Sequence, residues 1–189
     1  MSKRRSGFGA IPAAFAAVLI GVGMALPGAA AARADEQLND SYSVRWDTEG
    51  RGLRRSIVES ATAPGGAVLE VSTGRRNQEA WRSRVTVDLI GDIRRGDVIE
   101  LRVWVRAESP LRSLGTGNLD LQIVRTSEPY DHIFSENIRP TEEGQYYTFR
   151  GVAEADFDAD DVVFGANIGY GSQTIQFGPI FVNRVSSAE

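Results

Sequence analysis

The chain has 189 residues, one histidine and no cysteine, with 21 basic and 25 acidic side chains. This composition excludes disulfides and a zinc site built on cysteine and histidine, and any Ser/His/Asp triad would have to use His132. The acidic balance argues against nucleic acid as a partner, because its phosphates would be repelled.

Residues 1–5 are basic (Lys3, Arg4, Arg5), residues 11–26 are apolar and rich in alanine, and Ala32-Arg33-Ala34 offers small residues of the kind a signal peptidase reads. This three-part pattern predicts a secretory signal over residues 1–34, cleaved after Ala34, and a secreted or periplasmic mature chain without membrane contact. The rival reading is an uncleaved anchor, but the apolar run is short and broken by Gly21 and Gly23. Four of the basic residues (Lys3, Arg4, Arg5, Arg33) and none of the acidic ones lie in that segment, so residues 35–189 carry 17 arginines, 25 carboxylates and a net charge of −8. A single domain of this size buries about 70% of its unfolded surface, enough to fold without disulfides.

In the mature part, residues 35–40 read as polar and loose, 41–46 as a weakly alternating first strand, 48–55 as a loop, 56–60 as a short strand and 61–66 as a turn. From Gly65 to Ala107 the pattern sharpens. Leu69 and Val71 alternate with Glu70 and Ser72, Val85, Val87 and Leu89 with Thr86 and Asp88, and Ile99, Leu101, Val103 and Val105 with Glu100, Arg102, Trp104 and Arg106. A period of two marks strands with one face on a core and the other toward water or a ligand. Between the first two of these strands runs a polar Arg-Arg-Asn-Gln-Glu-Ala-Trp segment, residues 75–81. Further strands are predicted over 119–123, 132–138, 145–152, 161–170 and 174–185, the last broken by Gly178-Pro179, with an acidic loop at 153–161. Eight to ten short strands spaced by turn signals, with no helical period, predict an all-β fold: an antiparallel β-sandwich, either a jelly roll or an immunoglobulin-like sandwich.

Catalytic signatures are absent. No GxSxG elbow occurs, and a lone strand histidine is ordinarily a packed or surface residue, although His132 could hydrogen-bond a ligand. A glycosidase needs two carboxylates facing each other, and no pair stands out. Asp156-x-Asp158-x-Asp160-Asp161 starts like an EF-hand loop but has Asp161 where glycine is required and Asn167 where glutamate is required, so an EF-hand is rejected. No cofactor is expected, although clustered hard oxygens would suit a structural calcium ion.

Sugar binding asks for exposed aromatic rings beside polar groups that form paired hydrogen bonds. Trp46, Trp81, Trp104, Tyr130, Tyr146, Tyr147 and Tyr170 are available, and core packing is the ordinary role for about half of them. Trp81 is the leading candidate because it sits in a charged segment and not in an alternating apolar row.

Leu69-Glu70-Val71-Ser72-Thr73-Gly74-Arg75, followed by Trp81 and then by residues 96–107, resembles the jelly-roll carbohydrate-binding modules of xylanases and cellulases, families 4, 9 and 22, with their galactose-binding-like fold. Residues 144–151 are similar to that family's G-x-W-x-x-F/Y-x-G strand, with Tyr146 in the tryptophan's place, and Gly178 stands where the family carries a last-strand aspartate of a structural calcium site. The resemblance implies a jelly roll and places cleft residues at Arg75 or Arg76, Trp81, Tyr130 and Asn167. Asn167 shares a strand face with Val163 and Gly165, and Gln122 lies on the polar face of its own strand, so both could line one concave sheet. The expected function is an exported, non-catalytic module that binds a poly- or oligosaccharide. The alternatives are a cell-envelope protein that holds another protein, and a small polysaccharide lyase or glycoside hydrolase using Tyr130 and His132.

Overall fold

The alternating rows become strands, as shown by a computed structural model that describes residues 35–41 and 44–186. The signal-peptide reading of residues 1–34 lies outside the described residues, as do Tyr42 and Ser43 of the predicted first strand and residues 187–189. Eleven strands occur among the described residues: β1 (Glu36–Gln37), β2 (Asp47–Gly50), β3 (Arg54–Glu59), β4 (Ala67–Thr73), β5 (Ser83–Asp88), β6 (Val98–Ser109), β7 (Leu119–Arg125), β8 (His132–Ile138), β9 (Gln145–Val152), β10 (Val162–Asn167) and β11 (Gln173–Val185). One turn of 3-10 helix, Ala80–Arg82, precedes β5.

All pairings are antiparallel. One sheet has the order β3-β4-β11-β6-β9, with β1 added along β11, and the other has the order β2-β5-β10-β7-β8. The inward rows predicted from alternation meet between them: Leu69 and Val71 of β4, Leu101, Val103 and Val105 of β6, Leu121 and Ile123 of β7, and Phe164 and Ala166 of β10 belong to one buried cluster. Phe157, Phe164 and Phe177 are wholly enclosed, and each such side chain contributes about 1.5–3 kcal/mol by leaving water. The result is a two-layer jelly-roll sandwich.

Three expectations need correction. Residues 35–40 are not loose: β1 pairs with β11, Leu38 is fully buried with its N–H donating to the Val182 carbonyl (2.7 Å), and the buried Asn39 side chain accepts from Val182 N (2.7 Å) and donates to the Ile180 carbonyl (3.0 Å). The polar letters hid an edge strand whose backbone is satisfied by a neighbour distant in sequence. The predicted strand over 41–46 forms only further on, at β2, inside what reads as loop, because Thr48, Glu49 and Gly50 find partners on β5. β11 is not divided at Gly178-Pro179; the chain continues, with a register shift against β6 between Phe177 and Ile180. A bulge absorbs the proline, which has no N–H to donate.

That bulge has a packing function. Trp104 points away from the main core, is 3% exposed, and is closed over by Ala63 and Val68. A methyl group on Gly144 would come within 1.9 Å of its indole, and one on Gly178 within 2.9 Å. The two glycines make the space the ring occupies, so Gly178 serves a tryptophan here. Tyr146 packs beside this cluster with the Arg102 guanidinium 4.1 Å from its ring centre.

Candidate functional site

The outer face of the second sheet is polar, and the register arranges it in rows across the strands. Glu49, Arg84, Asn167, Asp120 and Asn137 form one row, and Thr86, Gly165, Gln122 and Ser135 the next. A cleft of about 520 Å³ opens on this face, lined by Glu49, Trp81, Arg84, Gln122, Val124, Arg125, Thr126, Tyr130, His132 and Asn167. Four of the six residues predicted from the sequence therefore meet: Trp81, Gln122, Tyr130 and Asn167. Arg75 and Arg76 lie in an adjoining recess of about 680 Å³ that shares Trp81 and Glu49 with the cleft.

Asn167 and Gln122 are outward-facing yet only 8% and 6% exposed. Gln122 folds over Gly165, where a methyl group would come within 3.0 Å of the amide nitrogen, and its Oε1 lies 3.2 Å from His132 Nε2. Asn167 Oδ1 is buried and has no hydrogen-bond partner among the described residues. Such an orphaned acceptor costs about 1–3 kcal/mol unless a ligand or water donates to it. Arg84 is held by Glu49, with Nε 3.0 Å from Oε2.

The aromatic walls come from anchored segments. Trp81 stands on the 3-10 turn, and its loop is held to the chain after β10. The Asn77 N–H donates to the Gly169 carbonyl (2.9 Å), the Gly169 N–H to the Ala80 carbonyl (3.1 Å), and Asn77 Nδ2 to Ser83 Oγ (2.8 Å). Only glycine permits that approach, since a side chain at 169 would meet Ala80 O at 2.6 Å. Tyr130 sits in the β7–β8 connection with a left-handed φ of 60°. Asp161 ties that connection down: it accepts from Ser127 Oγ (2.6 Å), Thr126 Oγ1 (2.6 Å) and Ser127 N (3.0 Å). The Ser127 and Thr126 hydroxyls, with help from Arg125, pull the Asp161 carboxyl down to about 2. Trp81 and Tyr130 are each 54% exposed.

The remaining aromatics are packed. Trp46 contacts the rings of Phe164 and Phe177, Tyr147 lies against the core, and Tyr170 donates its hydroxyl to Asp120 Oδ2 (2.6 Å). Burial, reinforced by that bond, raises the Tyr170 hydroxyl to about 12.

The acidic loop is occupied from within the chain. Arg94 reaches Asp92 (2.5 Å), Asp156 (3.9 Å) and Asp158 (4.0 Å), and Arg125 reaches Asp161 (3.4 Å). No three candidate metal ligands converge among the described residues. Nor is any helix there long and apolar enough to cross a membrane.

Sequence reasoning did not reach Glu49, Arg84 and Arg125 as lining residues. Arg84 shares the outward face of β5 with Thr86, a period-two signal that was available, but only the strand order shows that β5 lies beside β10.

No protein-family model and no curated protein matches the chain. Solved structures do. A CBM4 structure is 18% identical, with 79% of this chain and 94% of that one aligned and a TM-score of 0.56. The CBM22-1 xylan-binding domain from Paenibacillus barcinonensis Xyn10C is 15% identical, covering 84% of this chain and all of that one, with a TM-score of 0.57. The N-terminal cellulose-binding domain from Cellulomonas fimi beta-1,4-glucanase C is 14% identical over 76% of this chain and 90% of that one, with a TM-score of 0.53. The chain thus has the jelly-roll fold of these carbohydrate-binding modules.

Proposed function

We propose that the domain is an exported, non-catalytic module that binds a poly- or oligosaccharide across the outer face of the second sheet. The observation that carries this is the buried, unpartnered Asn167 Oδ1 in a cleft that also holds the half-exposed Trp81 and Tyr130. A sugar hydroxyl donating to Oδ1 would relieve the cost of the orphaned acceptor, while a ring's C–H face stacks on an indole. The two aromatics stand at opposite ends of β10: Trp81 precedes Arg84, which pairs with Asn167, and Tyr130 follows Arg125, which pairs with Val162. Those pairings are five residues apart, ~17 Å of strand, so a ligand touching both rings is an oligomer lying obliquely across the sheet. That similar folds include a xylan-binding and a cellulose-binding domain supports the reading.

The test is affinity electrophoresis of the protein and of Asn167→Leu against a panel of polysaccharides. Leucine matches the volume and removes the orphaned acceptor, so thermal stability should hold or rise while retardation by the bound polysaccharide disappears. Retardation unchanged in Asn167→Leu would refute the assignment.

One observation favours a second reading, a small polysaccharide lyase: Tyr130 and His132 line the same cleft. The only carboxylate among the described lining residues, Glu49, is engaged by Arg84. Incubation with a uronate polymer would reveal a lyase by the ultraviolet absorbance of the new conjugated double bond. The envelope-partner reading called for buried aromatics and an apolar face, whereas this cleft has exposed rings and mostly polar lining.

A further inference from the structure

In residues 35–189 carboxylates outnumber arginines, and many arginines are matched: Arg84 with Glu49, Arg106 with Glu108, Arg150 with Glu100, and Arg184 with Glu36 and Asp97. The recess beside the cleft gathers arginines that have no such match. Arg51, Arg75, Arg76 and Arg82 all line it, all are exposed, and none has a carboxylate within 4.0 Å among the described residues. The one carboxylate among the described lining residues, Glu49, is already held by Arg84; Glu79, on the same loop, is not part of the lining. The other lining side chains, Asn77, Gln78 and Trp81, are neutral hydrogen-bonding or stacking groups.

Four like charges brought together on a net acidic domain repel one another, and they are held near each other because the loop is pinned. Asn77 and the Gly169–Ala80 contact fix the segment that carries Arg75, Arg76 and Arg82, and β2 with its following turn supplies Arg51. The repulsion is offset when an anion enters. Guanidinium groups pair with carboxylate or sulfate through two parallel charge-assisted hydrogen bonds, which are about twice as strong as those to neutral hydroxyls. The recess and the cleft share Trp81 and Glu49 in their lining, so a chain stacked on that indole would carry its next substituents toward the arginines.

We propose that the ligand is an acidic polysaccharide, one whose sugars carry carboxylate or sulfate groups, and that Arg51, Arg75, Arg76 and Arg82 read those groups at the Trp81 end of the cleft. This rests on the glycan-binding reading above and narrows it to a charged class.

The test is affinity electrophoresis in gels containing polygalacturonate, its carboxyl-reduced form, chondroitin sulfate or desulfated chondroitin, with the protein, Trp81→Ala, Arg75→Gln/Arg76→Gln, and Arg112→Gln as a control for an exposed arginine elsewhere. The expected result is retardation by polygalacturonate that is lost with its carboxyl-reduced form, or retardation by chondroitin sulfate. It should weaken as salt rises from 0.05 to 0.5 M, a range over which the screening length falls to roughly a third. It should also fall roughly tenfold in the double arginine variant, the scale of two exposed charge pairs, with an unchanged melting temperature and no effect of Arg112→Gln. The desulfated form separates sulfate from carboxylate as the group that is read. Equal retardation by charged and carboxyl-reduced polymer, abolished by Trp81→Ala, would overturn the acidic preference and leave glycan binding intact. Unaltered binding in the double variant would overturn the arginine assignment. No retardation by any of these polymers would overturn the acidic preference and leave the glycan-binding reading to the Asn167→Leu panel, and co-sedimentation with phosphatidylserine vesicles in place of polymer binding would replace the glycan with an anionic membrane.

Discussion

On the outer face of the first sheet Trp104 is 3% exposed; beside the outer face of the second, Trp81 is 54% exposed. Each face also carries a buried amide. Gln176 on the first donates to Glu70 (2.9 Å), Asn167 lies on the second, and the amide oxygen of each has no hydrogen-bond partner among the described residues. The difference lies in what covers them. On the first face, residues 60–66 and the outward side of β4 bring Ala63 and Val68 over the indole, and Gly144 and Gly178 let the backbone close on it. On the second, the loops carrying Trp81 and Tyr130 are anchored beside the face and leave a cleft between them. An aromatic on a sheet's outer side is thus packing or contact surface according to whether other chain segments close over it. Its place in the strand alternation does not decide the matter.

The strongest way to break this contrast is to exchange the losses. Trp104→Ala should destabilise the fold by about 3–5 kcal/mol and leave glycan retention by the folded fraction unchanged, as read by thermal denaturation beside affinity electrophoresis. Gly144→Ala should act in the same direction by about 1–3 kcal/mol, because the added methyl has no room. Trp81→Ala should do the opposite: stability within about 0.5 kcal/mol of the parent, and affinity lower by about 2 kcal/mol, roughly 30-fold. If Trp81→Ala instead melts the protein, the two faces are alike and the cleft assignment fails.

A smaller effect tests the anchoring of the open face. The Asp161 carboxyl is held at about 2 in the folded protein against an ordinary 3.8, so its contribution is fully present above about pH 4 and is lost as the pH falls toward 2. Melting temperatures measured across pH 2–6 should therefore drop more steeply for the parent than for Asp161→Asn, and at pH 7 the variant should be the less stable. Parallel curves would show that Asp161 does not tie down the Tyr130 loop. The smallest effect is at high pH. Tyr170, raised to about 12 from 10.0, favours folding while neutral, and its contribution is lost as the pH rises from about 10 to 12, a loss that Tyr170→Phe should not show.

Much of the fold was legible because a strand's alternation is local. Leu69 and Val71, Val85 and Val87, and Leu101, Val103 and Val105 announce an inward side in their own spacing, and all are buried as that spacing requires. The edges were not legible. β1 consists of two exposed polar residues, and β2 contains Asp47, Thr48, Glu49 and Gly50; both exist because a partner strand elsewhere supplies hydrogen bonds. The candidate site divided in the same way. Asn167, Gln122, Trp81 and Tyr130 could each be named from face or surroundings, but Glu49, Arg84 and Arg125 join them only through the order β2-β5-β10-β7-β8.

What the amino-acid order determined by itself is therefore the class of the fold, the composition of its core and the presence of a polar, arginine-rich loop with one tryptophan, since period, charge and turn residues act between near neighbours. Only the tertiary structure decided that Trp104 is enclosed and Trp81 open, that Arg94 and Arg125 occupy the acidic loop, that Asn167 Oδ1 is left without a partner among the described residues, and that four arginines gather beside the cleft. Burial and charge pairing are properties of residues far apart in the chain, and they become defined only when the two sheets and their loops come together.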